Sequence, residues 1–430
     1  MAGQPDETKI LAMTLHSLRT RCCIAGGGPA GMVLGYLLAR AGVPAIALEK
    51  HGDFLRDFRG DTVHPSTLEV MYELGLLESF LERPHQVVKE LFAIVNGHAV
   101  QMAEFSHLSS HCKYIALMPQ WDFLNFLSSE ATKFPNFQLL METRAVRLME
   151  ENGRTTGVVV EGKEGAREIY ADLVVAADGR HSDMRESAKL EVIDVQAPID
   201  VLWMRISRRP DDPDATGGRF DSGLLLVMIN RNDYWQCAYV FPKGSYDRIR
   251  AEGLAKFKER VLALAPFLKD RIGELGDWEK IKLLTVQVNR LREWARPGLL
   301  FIGDAAHAMS PVGGVGINLA VQDAVAAANL LVRPLRAGAP TLEQLQAIQK
   351  RREWPTKMTQ AVQVFIQNRI LARSLAATQR SCDLPFFFKV IRYVTFLQRL
   401  PARMFGLGFR PEHVDPTIMN SPNKSPVPPR

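Results

Sequence analysis

Arg21-Cys22-Cys23-Ile24-Ala25 runs straight into Gly26-Gly27-Gly28-Pro29-Ala30-Gly31, and from there into residues 32–41, where apolar side chains recur at helical spacing. A second apolar run, Ala45–Leu48, ends in Glu49. Strand, glycine turn, helix, strand, carboxylate is the order of a dinucleotide-binding βαβ unit. The glycines of Gly26-x-Gly28-x-x-Gly31 play different parts. Gly26 permits the tight turn, Gly28 lets backbone approach a pyrophosphate, and Gly31 lets helix pack on strand. The first N–H groups of the helix have no partner within it and are offered to phosphate, while Glu49 is placed to accept from ribose hydroxyls. The unit alone does not separate NAD from FAD.

The chain around it has 430 residues. Single cores stop growing near about 250–300, so two or three domain-sized units share its length. With 47% apolar and 23% charged residues, collagen-like, low-complexity and largely disordered chains are excluded. The 53 Lys and Arg exceed the 47 Asp and Glu by six without forming one long run. That balance permits anionic ligands and gives no reason to expect nucleic acid. Cys22, Cys23, Cys112, Cys237 and Cys382 form neither a disulfide ladder nor a Cys-x-x-Cys pair, so a reducing compartment is expected. Asp6 and Glu7 lie in a start that has no apolar stretch of signal-peptide length, and no segment approaches the roughly 20 uninterrupted apolar residues of a membrane span. The expectation is a cytoplasmic protein.

Two kinds of β segment interleave. Residues 87–105, 201–206, 224–229 and 234–241 are β-branched, aromatic or alternating, with a turn at Asn230-Arg231-Asn232-Asp233, and predict an antiparallel sheet. Residues 173–177 and 299–302 are short, fully apolar strands of the buried parallel kind. Residues 317–331, and those from 342 onward, have helical periodicity. The interleaving predicts an α/β nucleotide-binding domain made of residues 20–86, 115–195 and 290–340, interrupted by a β-sheet domain of 87–114 and 196–289. A helical region (341–414) and a disordered tail (415–430) with five prolines follow.

Two further motifs choose between the nucleotides. Asp172-Leu173-Val174-Val175-Ala176-Ala177-Asp178-Gly179-Arg180-His181-Ser182 is a strand entering an Asp-Gly turn, with Arg185 just beyond. Leu299-Leu300-Phe301-Ile302-Gly303-Asp304-Ala305-Ala306-His307 delivers a carboxylate, and the chain continues through Pro311 and Gly313-Gly314-Val315-Gly316-Ile317-Asn318 to a helix start. With the glycine turn, this trio resembles the class A flavin-dependent aromatic hydroxylases, the para-hydroxybenzoate hydroxylase family, over about residues 20–335.

The resemblance implies a glutathione reductase-type, Rossmann-like FAD-binding domain with an inserted antiparallel substrate sheet and a helical C-terminal region. It implies that NAD(P)H, a transient co-substrate, reduces FAD, that O2 adds to form a C4a-hydroperoxide, and that a phenolic, quinone-like or polycyclic aromatic ring is hydroxylated. By the same resemblance Asp304 (with Gly303) holds the ribityl chain, the Asp178-Gly179 turn serves FAD and nicotinamide, Arg59 and Gln120 contact FAD, and Pro311 lies by the flavin ring. Around Gly313, Gly314 and Gly316, the N–H groups of Gly316, Ile317 and Asn318 would stabilise negative charge on reduced flavin by about 0.3–2 kcal/mol from the helix dipole. Pro311 and Gly316 are therefore the catalytic candidates, with no side-chain base assigned. Arg180 is a further candidate for the phosphates. Asp323 reads as a structural hydrogen-bonding residue and His307 as a packed supporting group rather than a base. No metal is expected.

Trp203, Arg205, Met228, Tyr234, Gln236, Tyr239 and Phe241 come from the strands that would form the substrate sheet, and alternation puts about half of them on the flavin side. No acid-binding arginine carries over, so a benzoate is not supported. The aromatic, cation-dotted stretch 384–397 packs on the flavin domain or a second subunit in one reading, leaving monomer and homodimer open, and touches a membrane in another. A flavin halogenase needs Trp-x-Trp, absent here. A reductase or dehydrogenase of the same fold, acting for example on a prenyl lipid, and a non-catalytic flavoprotein are the alternatives.

Overall fold

The structure is a computed structural model describing residues 17–55, 62–214, 216–371, 389–390 and 395–419. Arg59 and most of the 384–397 stretch lie outside the described residues.

The glycine unit folds as its sequence reads: strand Leu18–Ala25, helix Pro29–Arg40, strand Ala45–Leu48. Cys22 pairs with Ala45 and Ala25 with Leu48 in parallel register. On the other side lies Gly165–Ala176, with Cys22 opposite Leu173, then Leu299–Phe301. Phe137–Leu140 extends the opposite edge. Residues 22–25, 45–48, 173–176 and 299–301 of these strands are apolar throughout because both faces are covered there. Cys22, Ile24, Leu173, Val175 and Leu300 face a core shared with the helices Pro29–Arg40 and Gly316–Ala337. Cys23, Ala25, Val174, Ala176 and Phe301 pack with Leu148, Val158, Val160 and Trp294 on the other face. Only the last four residues of the twelve-residue strand Gly165–Ala176 fall within the 173–177 run that stands out in the sequence. Its first half pairs antiparallel with Arg154–Gly162, which in turn pairs with Arg144–Glu151.

The second sheet has seven strands, in the order Lys282–Leu284, Ile199–Ser207, Tyr234–Pro242, Leu224–Asn230, Gly217–Asp221, Glu90–Val95, His98–Glu104. Its pairings are antiparallel apart from Gly217–Asp221 on Glu90–Val95. That parallel pairing joins the two separated chain segments. The N-terminal boundary needs correction: Gln86–Val88 stays out of the sheet and pairs with Ile115–Leu117, which also holds Thr62–Val63. The exit and return of the chain are fastened by a third set, in which Val192–Asp194 pairs with Asn289–Leu291 and the latter with His307–Ala308.

The helix Leu342–Ile366 starts at a capping box of Thr341 and Gln344. Residues 410–419 then return along the first domain, where Val414 N–H donates to Glu73 Oε2 (2.8 Å) and Asn329 Nδ2 donates to His413 O (2.8 Å). The expected disordered tail therefore does not begin at Asp415. Pro416–Met419 is a short helix whose Ile418 is buried in the main core, and apolar anchoring overrides the proline-rich composition there. Among the described residues one helical stretch, Val312–Ala337, is long and apolar enough to cross a bilayer, and 83% of its apolar window is buried inside the protein.

Behind the second sheet, Arg271 and Asp212 form a buried bidentate pair (2.6 and 2.6 Å), and Trp235 Nε1 adds a bond to the carboxylate (2.9 Å). Burial alone would raise the Asp212 carboxyl, but the bonds from Arg271, Trp235 and the Arg209 N–H hold it down at about 2, from an ordinary 3.8. A depressed carboxylate pKa gives stability that is full above the unfolded value and is lost as pH falls through the folded one. Urea unfolding should show Asp212→Asn less stable than the parent near neutrality, with the carboxylate's share of the gap, about 2 kcal/mol, closing between about pH 4 and 2. A gap independent of pH would exclude this ionic role.

Candidate active site

The three glycines of the first turn occupy different surroundings. Gly26 has φ +115°, and a Cβ there would lie 2.4 Å from Ala177 O; one on Gly31 would lie 1.9 Å from Gly26 O. A Cβ on Gly28 would meet no protein atom within 4 Å. Gly26 and Gly31 thus let the chain pack on itself, and Gly28 faces open space at the uncapped start of Pro29–Arg40. Glu49 folds against the turn, its Cβ 2.9 Å from where a Gly27 Cβ would stand, and accepts from His51 N–H (3.0 Å).

Gly303, at φ +58°, sits against the same helix start, since a Cβ on it would be 3.0 Å from Ala30 Cβ. This close approach brings Asp304 beside the glycine turn. Arg185, buried, ties the two later motifs together: its Nε donates to Ala305 O (2.6 Å), one terminal nitrogen to Asp304 O (2.7 Å) and the other to Asn289 Oδ1 (3.3 Å). No described residue donates a hydrogen bond to the Asp304 carboxylate, and Arg180 stands 3.9 Å away with its own Nε buried and unpartnered. The Asp178 carboxylate, by contrast, accepts from Ser182 Oγ (2.6 Å) and Met184 N–H (3.1 Å), and burial raises its pKa. Its side chain shapes the turn, leaving Gly179 (φ +86°) open. Lys50, Arg144, Arg180, His181 and Lys189 line a cleft of about 580 Å³ alongside.

The glycine loop before the helix Gly316–Ala337 is held from outside. Gly313 (φ +79°) lies against the ring of Phe405, and Gly314 (φ +64°) against Thr62. Gly314 O accepts from Thr62 Oγ1 (2.8 Å) and His64 Nε2 (3.2 Å). Burial pushes His64 down to about 4, so its ring is neutral. Thr62 and His64 carry no motif and are missed by sequence reading. The Asn318 side chain is engaged elsewhere: its Oδ1 accepts from Ser66 Oγ (2.7 Å) and Thr67 Oγ1 (2.8 Å). Ile317 belongs to the main core. Gly316 faces open space, as Gly28 does. The Gly303 turn thus lies against the start of Pro29–Arg40 at Ala30 and against the first turns of Gly316–Ala337 at Ala320, while Pro311 opens the loop. Gln120 begins the helix Gln120–Ala131.

Asp323 and His307 act together under the site. Asp323 Oδ2 accepts from Gly303 N–H (3.0 Å) and His307 Nε2 (2.6 Å), and Oδ1 from Arg352 Nε (2.9 Å). Burial opposes the charge, but His307 and Arg352 keep the Asp323 carboxyl below its ordinary value. His307 also packs on Trp294, 5.0 Å between ring centroids.

The strand register sorts the sheet candidates. Trp203 lies opposite Ala238, Arg205 opposite Gln236, and Ser207 opposite Tyr234, all on one face. That face packs with Val312 of the glycine loop and Val364 of the long helix. Met228, Tyr239 and Phe241 point the other way into a core with Phe257 and Val261, and Tyr239 meets Phe257 edge-on at 5.3 Å. These three are structural, which corrects the expectation for Met228 and Tyr239. Arg205 stacks over Tyr234 (3.8 Å) at an exposed end, 60% accessible. Trp203 and Gln236 remain as inner-face residues, and Gln236 Nε2 is buried without a partner.

The family model described as "FAD binding domain" matches residues 19–362. The chain is 32% identical to 6-methylpretetramide 4-monooxygenase of Streptomyces rimosus over 358 residues, covering 82% of this chain and 84% of that one. The crystal structure of p-nitrophenol 4-monooxygenase from Pseudomonas putida superposes with a TM-score of 0.69 at 20% identity, over 92% of this chain and 100% of that one. A probable FAD-dependent monooxygenase from Pseudomonas aeruginosa gives 0.69 at 22% identity, over 84% and 99%.

Proposed function

The chain belongs to the FAD binding domain family, among its flavin-dependent aromatic hydroxylases, and on that premise we propose that it is an NAD(P)H-dependent FAD monooxygenase hydroxylating a phenolic, quinone-like or polycyclic aromatic ring. One observation carries the placement of the cofactor. The Asp304 carboxylate, with no described donor, follows the Gly303 turn, which lies against both the helix that starts at Gly28-Pro29 and the helix Gly316–Ala337, and a ligand with a phosphate end, a hydroxylated middle and an electron-accepting end requires such a carboxylate between two helices.

In this reading Gly26, Gly28, Gly31 and Glu49 hold the adenosine diphosphate part, with Arg180 adding positive charge. Asp304, positioned through Gly303, accepts from the ribityl hydroxyls; Gln120 lies at the flavin side. Pro311, Gly313 and Gly314 shape the ring side, and the N–H groups of Gly316, Ile317 and Asn318 hold negative charge there. When bound, the flavin supplies electron transfer and oxygen activation. The basic cleft beside Gly179 supports docking of the NAD(P)H phosphates.

The seven-stranded sheet serves as the substrate domain. Trp203 gives an aromatic wall, and Gln236, whose Oε1 accepts from Arg231 Nε (3.3 Å), offers its unpartnered Nε2 as a donor to a carbonyl or phenolic oxygen. The relative named as a 6-methylpretetramide 4-monooxygenase supports a substrate of that kind. Four buried free cysteines, Cys22, Cys23, Cys112 and Cys237, support a reducing, cytoplasmic setting.

Flavin reduction by NADH and by NADPH, measured anaerobically with phenols, quinolones and aromatic polyketides in turn, tests the proposal. Bleaching accelerated by one substrate class is expected; no bleaching with either nucleotide and any aromatic would overturn it. Asp304→Ala should weaken FAD by about 1–3 kcal/mol through loss of an acceptor that the bound cofactor would cover. Unchanged FAD content after dialysis would remove Asp304 from the site.

A further inference from the structure

The helix Leu342–Ile366 and the turn that continues it bury three glutamines on one face. Gln360, Gln363 and Gln367 are spaced i, i+3, i+7 and are 1%, 0% and 0% exposed. Glutamine is seldom buried, and a buried amide without partners is costly. All three amides reach residues 308–312, the segment entering the glycine loop, and Gln360 also reaches the strand Asn289–Leu291. Gln360 Nε2 donates to Ala308 O (3.1 Å) and Asn289 O (2.9 Å). Gln363 Nε2 donates to Ser310 O (2.9 Å) and Val312 O (2.8 Å), and its Oε1 accepts from Ser310 N–H (3.2 Å). Gln367 Nε2 donates to Ser310 Oγ, which also accepts from Val312 N–H (3.1 Å).

Gln363 thus brackets Pro311 with three hydrogen bonds, supplying the pairing that a neighbouring strand would otherwise give. Proline cannot contribute an N–H of its own. From another side Thr62 and His64 hold Gly314 O. The loop is therefore set by the C-terminal helix as much as by the nucleotide domain.

We propose that Gln363 is a positioning residue for the flavin-side loop, acting through the backbone on either side of Pro311, with Gln360 and Gln367 as its supports. The proposal rests on the placement of the flavin ring beside that loop. Its test compares Gln363→Met, which has nearly the same length and none of the three bonds, with the parent protein, both loaded with FAD. The readouts are the visible flavin spectrum and the dissociation constant of the flavin–sulfite adduct, which reports charge stabilisation at the ring. The expected result is retained FAD with shifted absorption bands and sulfite affinity changed by about fivefold or more. A lowered melting temperature with unchanged spectrum and sulfite affinity would make Gln363 a packing residue only and overturn the proposal. Should Gln363→Met fail to fold, Gln367→Met, which loses a single bond, gives the same readouts with a smaller shift expected and silence overturning. Failure of the cofactor placement itself is distinguishable, because then Asp304→Ala also keeps its FAD.

Discussion

Gly28→Val is expected to yield a folded protein that carries no flavin. The backbone at Gly28 is extended, φ −75° and ψ −176°, a conformation valine adopts readily. No protein atom lies within 4 Å of the new Cβ, so the fold has nothing to resist. What the side chain fills is the space into which the first N–H groups of Pro29–Arg40 point, where a pyrophosphate must come into contact with backbone. The ratio of flavin to protein absorbance after soaking in FAD and gel filtration should fall to near zero, while the melting curve of the flavin-free protein stays close to that of flavin-free parent. A yellow valine variant would remove the pyrophosphate from this turn. Gly31→Val cannot serve in its place: with Gly26 O 1.9 Å from the new Cβ, the fold itself is damaged.

Asp323→Ala should produce the largest loss of stability, about 3–5 kcal/mol, as expected when one partner of a buried charge network is deleted. Arg352 and His307 are 2% and 1% exposed at their side chains. The truncation leaves the Gly303 N–H without its acceptor and Arg352 with Arg410 O (3.0 Å) and Glu412 (3.4 Å) as its remaining partners. Chemical unfolding should show the lowered midpoint, and FAD should dissociate faster because the Gly303 turn positions Asp304. An unchanged midpoint would mean that the network does not hold the domain together.

Sequence makes the nucleotide half of this molecule legible because its glycines and carboxylates sit at fixed offsets from apolar strands. Gly26, Gly28, Gly31, Asp304 and Gly316 could be read for that reason. The residues that hold the loops in place carry no such offset. Thr62, His64, Arg185 and the three glutamines meet their partners across 50 to more than 250 residues of chain, contacts that periodicity does not record. Met228 and Tyr239 were ambiguous for another reason: alternation says that neighbouring residues face opposite ways but not which way is inward. The helix Leu254–Leu264 settles it by covering one face. Residues 415–419 illustrate composition being overridden, since the buried Ile418 anchors this start of the stretch read as tail.

Mass spectrometry of product formed under isotopically labelled O2, with NAD(P)H as the electron source, tests the monooxygenase assignment most directly. Incorporation of one labelled oxygen atom into the aromatic product for each turnover is expected. Product formed equally well under argon, with no label, would make the protein a flavin reductase or dehydrogenase of the same fold and contradict the assignment.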